Sequence, residues 1–348
     1  MIFDSDMHVM EPAELWADIG VPGWGWNGIL LPQHKLPDAP SEWPVDSDAY
    51  VNGLATSYAD AHADGFGPAS TVRACEREGI DAAVLFPTRA SSFAGADDLD
   101  LQLVYKGLNR YNTWVRDFVG ERPRLSAVGA VSLQNVDLAI SVVMECAQLG
   151  LAGIVTRPNP MCGRGWDHPD YDRFYAALVK YRMPFVLHEG TGAHLPTLGL
   201  DRAQTYLAAH AMSHPFEAMS AVLQFTVGGV FARHPQLKVG FFESGAGWLP
   251  YWLDRLDDHC LGIFGARESR LAHRPSFYFK RQGFVTMDPS EELHGIEEAG
   301  LASSVLFASD YPHGDSAFPY AVRLARRAAG ALWERVSDHN AARFWLPA

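Results

Sequence analysis

Eight short apolar stretches, each separated from the next by enough residues for a helix, constrain this chain more than any other feature. They are IFDSDMHV at 2–9, DAAVLFP at 81–87, RLSAVGAVSL at 124–133, LAGIVTRP at 151–158, MPFVLHEG at 183–190, LKVGFFESG at 237–245, GFVTMD at 283–288 and SSVLFASDYPH at 303–313. Apolar, β-branched or aromatic, and bounded by Gly, Pro or charge, they have the pattern of buried strands. Helical patterns lie between them. QLVYKGLNRYNTWVRDFVG spaces Leu103, Leu108, Tyr111, Val115 and Phe118 along one face. VDLAISVVMECAQLG follows Asn135, a natural N-cap, and ends at Gly150, while YDRFYAALVKYR has the same periodicity. Strands alternating with helices predict parallel βαβ units, and eight is the number that closes a TIM (β/α)8 barrel. The 348 residues are read as one such domain.

Two connections exceed what a simple barrel needs. Residues 10–70 are rich in Pro, Gly and Trp (PGWGWNG, LPQHKLPDAP, SEWP), and 191–236 hold a helical insert. The first lacks enough periodic structure for a core of its own, so it is expected to be a lid or pocket wall inserted after strand 1. Trp24, with Trp26 and Trp43, is expected to line an aromatic pocket or to pack that insert.

Composition narrows the function. A formal charge of −13 and the absence of a basic run disfavour nucleic acid and anionic membranes. No apolar run reaches transmembrane length, and the start has no basic segment followed by an apolar one. The cysteines at 75, 146, 162 and 260 form no CxxC pair. A cytoplasmic protein with reduced thiols and a small-molecule substrate is expected. Ser244 lies in ESGAG rather than GxSxG, and no GxGxxG follows a strand, which disfavours a serine hydrolase and a dinucleotide enzyme.

Polar residues collect at the strand ends. Asp6 and His8 are two apart on strand 1 and so point to the same side. If that side faces the interior, both need a partner, and a metal ion satisfies both. His188 and Glu189 end strand 5, Glu243 ends strand 6, Asp288 strand 7, and Asp310 and His313 strand 8. In a TIM barrel these ends converge on one face, where active sites are built. A metal centre is the expectation. Glu189 alternates away from His188 and could pair with a base. Arg157, ending strand 4, could clamp a substrate carboxylate or tie a neighbouring acid. His313 could orient Asp310 or be a plain loop residue.

DxH on strand 1, His on strand 5 and SDYPH on strand 8, with HPQLKV leading into strand 6, resemble the amidohydrolase superfamily. The likeness is to the amidohydrolase-2 group, typified by aminocarboxymuconate-semialdehyde decarboxylase and related aromatic acid decarboxylases. The resemblance implies a TIM barrel holding a divalent ion, Zn2+ first and Mn2+ second. By position, Asp6, His8, His188 and Asp310 match its ligands. Strand 4 ends Thr156-Arg157-Pro158, without the lysine that bridges binuclear centres, so one ion is expected. Strand 6 departs from the pattern: Glu243 stands where the well-studied decarboxylases carry His-Gly-Gly. His214, on the insert, is the substitute imidazole.

A metal-dependent hydrolase is therefore the leading expectation, acting on a small aromatic or cyclic carbonyl or carboxylate compound. Asp310 takes the proton of a metal-activated water, and His214 assists the oxyanion or leaving group. Glu243 serves as a further catalytic or ligating carboxylate. The alternative is a non-oxidative decarboxylase of an aromatic or unsaturated acid. The resemblance also implies a homodimer.

Overall fold

The computed structural model describes residues 1–16, 19, 57–189 and 197–346. Eight strands form one sheet in chain order: β1 (Phe3–Val9), β2 (Ala82–Pro87), β3 (Leu125–Ala130), β4 (Gly153–Thr156), β5 (Phe185–His188), β6 (Val239–Phe242), β7 (Gly283–Met287) and β8 (Val305–Phe307). Every neighbouring pair is parallel. Two backbone bonds return the end of the sheet to its start, from His8 N to Tyr311 O (2.6 Å) and from Asp310 N to Asp6 O (3.0 Å). The result is a nearly closed TIM barrel, as the strand pattern predicts. The strands are shorter than the apolar stretches, because Arg157, Glu189, Glu243 and Asp310 already lie in the loops beyond them.

The helices are α1 (Pro68–Glu78), α2 (Leu101–Val119), α3 (Val136–Leu149), α4 (Asp172–Tyr181), α5 (Tyr206–Thr226), α6 (Leu249–Leu261), α7 (Pro275–Gln282) and α8 (Ala321–Ala329), with several shorter turns. Their ends follow local chemistry. The Asp100 carboxylate accepts from Gln102 and Leu103 N–H at the start of α2, and Asn135 does the same for α3. Gly150 closes α3 at φ +74°, a conformation glycine adopts at little cost. The β7–β8 connection (288–304) is made of turns instead of a helix.

Aromatic rings plug one end of the barrel. Phe86 of β2 meets Phe242 of β6 (centroids 5.6 Å apart) and Trp345 of the terminal helix Asn340–Trp345 (6.2 Å). On its other side Phe86 stacks on His188 at 5.3 Å. The polar strand ends thus stand on a dry floor.

The described parts of the expected lid include a 3-10 turn, Ala13–Trp16, and a short helix, Ala59–Ala63. Trp16 stacks on Phe93 at 5.0 Å. Trp24, Trp26 and Trp43 lie outside the described residues. No helix among the described residues is long and apolar enough to cross a membrane.

Candidate metal centre

The strand-end residues do meet. Ligand atoms of Asp6, His8 and His188 lie within 4.8 Å of one another, and a second set of the same spread joins His8, Asp310 and His313. His8 Nε2 is 3.4 Å from Asp6 Oδ1 and 3.3 Å from Asp310 Oδ1, and His188 Nε2 is 3.4 Å from Asp6 Oδ2. Asp6, His8 and His188 are each at most 4% exposed.

Two observations fit this group to a cation. Asp6 Oδ1, His8 Nε2 and His188 Nε2 are buried without a hydrogen-bond partner, which is costly unless something else satisfies them. Both rings also place Nδ1 against a backbone carbonyl, His8 on Pro87 O (3.2 Å) and His188 on Glu189 O (2.8 Å). A carbonyl only accepts, so the proton sits on Nδ1 and each Nε2 lone pair faces the carboxylates. That is the tautomer a metal ligand needs.

Electrostatics agree. Burial pushes the His8 imidazole down to about 4, with a smaller push from His313, so it stays neutral and able to ligate. Burial works against the Asp6 carboxylate, but His188 and then His8 outweigh it and hold Asp6 below the usual carboxylate range. With two carboxylates and two imidazoles, the group suits zinc or manganese. Among the described residues no lysine joins it; Lys180 is exposed on α4.

His313 orients Asp310. Its Nδ1 is 2.7 Å from Asp310 Oδ1, its Nε2 lies 3.0 Å from Thr88 Oγ1, and its ring stacks on His8 at 3.9 Å. Burial opposes its protonation, yet the charge of Asp310 prevails and lifts the imidazole to about 9. Asp310 is not a helix cap. It sits at φ +55°, and Glu243 at φ +54°, so among the described residues two of the five non-glycines in this strained region carry carboxylates of the site.

The turn after β6 explains Glu243. Its N–H donates to Thr286 Oγ1 (3.0 Å), Gly245 follows at φ +70°, and the Glu291 carboxylate accepts from Ala246 and Gly247 N–H. The Glu243 side chain comes back to His188, with Oε2 3.3 Å from Nδ1. Burial first, then Asp310, Asp6, Asp315 and Glu189, push its carboxyl well above the ordinary range.

His214 reaches the site from helix α5. Its Nδ1 is 2.8 Å from Glu243 O and 3.7 Å from Glu243 Oε1, and it is 6% exposed. Burial, then neighbouring His210, lowers its basicity. A cavity of about 480 Å³ is lined by Asp6, His214, Glu243 and Asp310 together, with His210 and Asp315 also on its wall.

Two expectations change. Arg157 does not line that cavity among its described residues; its Nη2 donates to Glu189 Oε1 at 2.6 Å, both side chains 1% exposed. Of its two expected roles, tying a neighbouring acid is the one this geometry matches, and Glu189 is accordingly turned inward. Asp288, counted among the rim ligands, is exposed and accepts from Ser290 N and Oγ instead.

Other residues escaped the sequence reading. Asp4 continues the period-2 pattern of Asp6 and His8. His210 and Glu217 lie four residues before and three after His214, on the same helical face. His210 stacks on His214 at 4.7 Å and places Nε2 3.4 Å from Asp315 Oδ2. Glu217 accepts from Leu198 N–H, and burial lifts its carboxyl to about 7. Glu11 accepts from Arg89 and Ala90 N–H, capping the short helix Ala90–Gly95.

Comparison with known proteins places these observations. One curated relative, 2-amino-3-carboxymuconate-6-semialdehyde decarboxylase of Dictyostelium discoideum, is 28% identical over 148 residues. That match spans 42% of this chain and 39% of the relative's length. A 5-carboxyvanillate decarboxylase of Novosphingobium aromaticivorans, solved with manganese and 3-methoxy-4-hydroxy-5-nitrobenzoic acid, superposes with a TM-score of 0.70 at 20% identity. That superposition covers 99% of this chain and 97% of the other. An amidohydrolase of Mycobacterium avium subsp. paratuberculosis reaches a TM-score of 0.75 at 17% identity, covering 99% and 98%. At such identities the solved structures attest to the fold. The family model described as amidohydrolase matches residues 3–346, and the chain belongs to the amidohydrolase family of enzymes.

Proposed function

We propose that this chain is a metal-dependent non-oxidative decarboxylase of a small aromatic or unsaturated carboxylic acid. The observation that carries this reading is His214. The lead given above to hydrolysis rested on a missing imidazole at the end of strand 6. An imidazole nevertheless lies against Glu243 and lines the same cavity as Asp6 and Asp310. The decarboxylases among the relatives and solved structures support the same choice.

Asp6, His8, His188 and Asp310 hold the ion, with His313 steadying Asp310. The manganese of the carboxyvanillate enzyme makes Mn2+ the first ion to try, ahead of Zn2+. When bound, the ion would supply Lewis-acid stabilisation of negative charge on the substrate carboxylate and a neighbouring hydroxyl oxygen. Because Nδ1 of His214 donates to the Glu243 carbonyl, its Nε2 carries the basic lone pair and is assigned the proton of that neighbouring hydroxyl. Burial, and then the neighbouring Asp310 and Asp6 carboxylates, raise the Glu243 carboxyl well above the ordinary range, and it is assigned as the acid that protonates the carbon bearing the carboxylate. The carbon–carboxylate bond then breaks, CO2 leaves, and one proton is consumed overall. Arg157, committed to Glu189, is assigned no contact with substrate.

Hydrolysis is the second reading, favoured by the carboxyl group at the end of strand 6, with Asp310 taking the proton of water. The test is CO2 release from ortho-hydroxybenzoates and unsaturated carboxylates by the Mn2+-loaded protein. Ester, lactone and amide cleavage in 18O-labelled water is measured in parallel. CO2 release lost in His214→Gln and Glu243→Gln, with metal content retained, is the expected result. Label incorporation without CO2 release refutes the decarboxylase reading.

A further inference from the structure

In the stretch Asp4-x-Asp6-x-His8, three polar groups alternate along β1, and the metal accounts for two. Asp4 is fully buried. A buried acid is costly, and an apolar residue would pack there as well, so its presence needs a cause. Its Oδ1 accepts the backbone N–H of Asp6 (3.1 Å) and that of Ser309 (3.1 Å). A single oxygen therefore joins the residue that bears one ligand to the residue preceding another.

The place matters. β8 ends at Phe307, and the two backbone bonds that close the seam, His8 N to Tyr311 O and Asp310 N to Asp6 O, lie beyond that end. Asp6 and Asp310 therefore face each other where β8 is no longer a strand. Asp310 is moreover at φ +55°, a conformation that persists only when its surroundings impose it.

We propose that Asp4 is a positioning residue for the metal centre: by accepting the N–H groups of residues 6 and 309, it presets Asp6 and Asp310 for the ion. This rests on the metal-site reading above. Asn at this position keeps the acceptor oxygen, Ala removes it, and Leu removes it while filling the space.

The test is the dissociation constant for Zn2+ alone and for Mn2+ alone, by competition with a chromophoric chelator, on full-length folded protein. Asp4→Asn is expected to bind within about threefold of wild type, and Asp4→Ala and Asp4→Leu at least about tenfold more weakly. A purely structural role lowers the melting temperature of the metal-free protein and leaves ion affinity unchanged; affinity within twofold of wild type in Asp4→Ala or Asp4→Leu, whichever folds, overturns the proposal. Wild-type protein that binds neither ion overturns the metal-site reading, and this proposal with it. Hydrogen exchange of the metal-free wild type is the second measurement. The Ser309 amide is expected to be protected before any ion is added, and exchange at the rate of an open loop overturns the proposal even if no variant folds.

Discussion

Replacing Glu189 by Gln tests whether the loop ends after β4 and β5 are joined by a desolvated charge pair. Arg157 and Glu189 are each 1% exposed and 2.6 Å apart, so water does not screen them. Gln preserves the shape and an acceptor oxygen but removes the counter-charge from a buried guanidinium. Breaking one side of such a pair costs about 3–5 kcal/mol. At about 2.1 cal/mol/K per residue, 348 residues unfold with an entropy of roughly 0.7 kcal/mol/K. The loss converts to a fall in Tm of about 4–7 °C. Thermal melts of metal-free wild type, Arg157→Met, Glu189→Met and Arg157→Met/Glu189→Met complete a cycle, with Glu189→Gln measured beside it. The double variant is expected to melt above Glu189→Gln, because it buries no uncompensated charge. A Glu189→Gln melt within 1 °C of wild type, or a double loss equal to the sum of the two single losses, refutes the reasoning.

Three further outcomes are expected. Elemental analysis is expected to find about one Mn2+ or Zn2+ per reconstituted wild-type chain and a large loss in His188→Ala, since His188 Nε2 is one of the buried atoms left without a hydrogen-bond partner beside Asp6. In the metal-free protein His313 titrates at about 9 instead of the ordinary 6.5. Its stabilisation is full below pH 6.5 and disappears as the pH rises through 9, a loss of about 3 kcal/mol at most. His313→Gln is expected to flatten that limb of the stability profile, and an unaltered limb counts against the Asp310 contact. Gly129→Ala drives a methyl group into Cys146 Sγ and against Leu151, and should cost about 1–3 kcal/mol in a denaturant melt.

The parts legible in the sequence were those in which one strand carries the information. Buried parallel strands are continuous apolar runs, so all eight stood out, and a polar residue breaking such a run marks a strand end. Asp6, His8, His188 and Asp310, which the structure brings together, are singled out that way. What stayed hidden depends on which loops face one another. Arg157 and Glu189 follow neighbouring strands, but only the structure turns them together and leaves Asp288 exposed on Ser290. The imidazole over Glu243 comes from the middle of a helix, where spacing shows that His210, His214 and Glu217 share a face but not what that face meets. Asp4 was overlooked because two members of its pattern already had an explanation.

The ligands proposed above come from both ends of the barrel's chain order, with Asp6 on β1 and Asp310 past β8. No nascent chain can present all four until residue 310 has left the ribosome. Until then the aromatic floor beneath His188 also lacks Trp345. With that ligand set, an ion captured earlier would be held by at most Asp6, His8 and His188, and metal loading would be tied to closure of the β1–β8 seam.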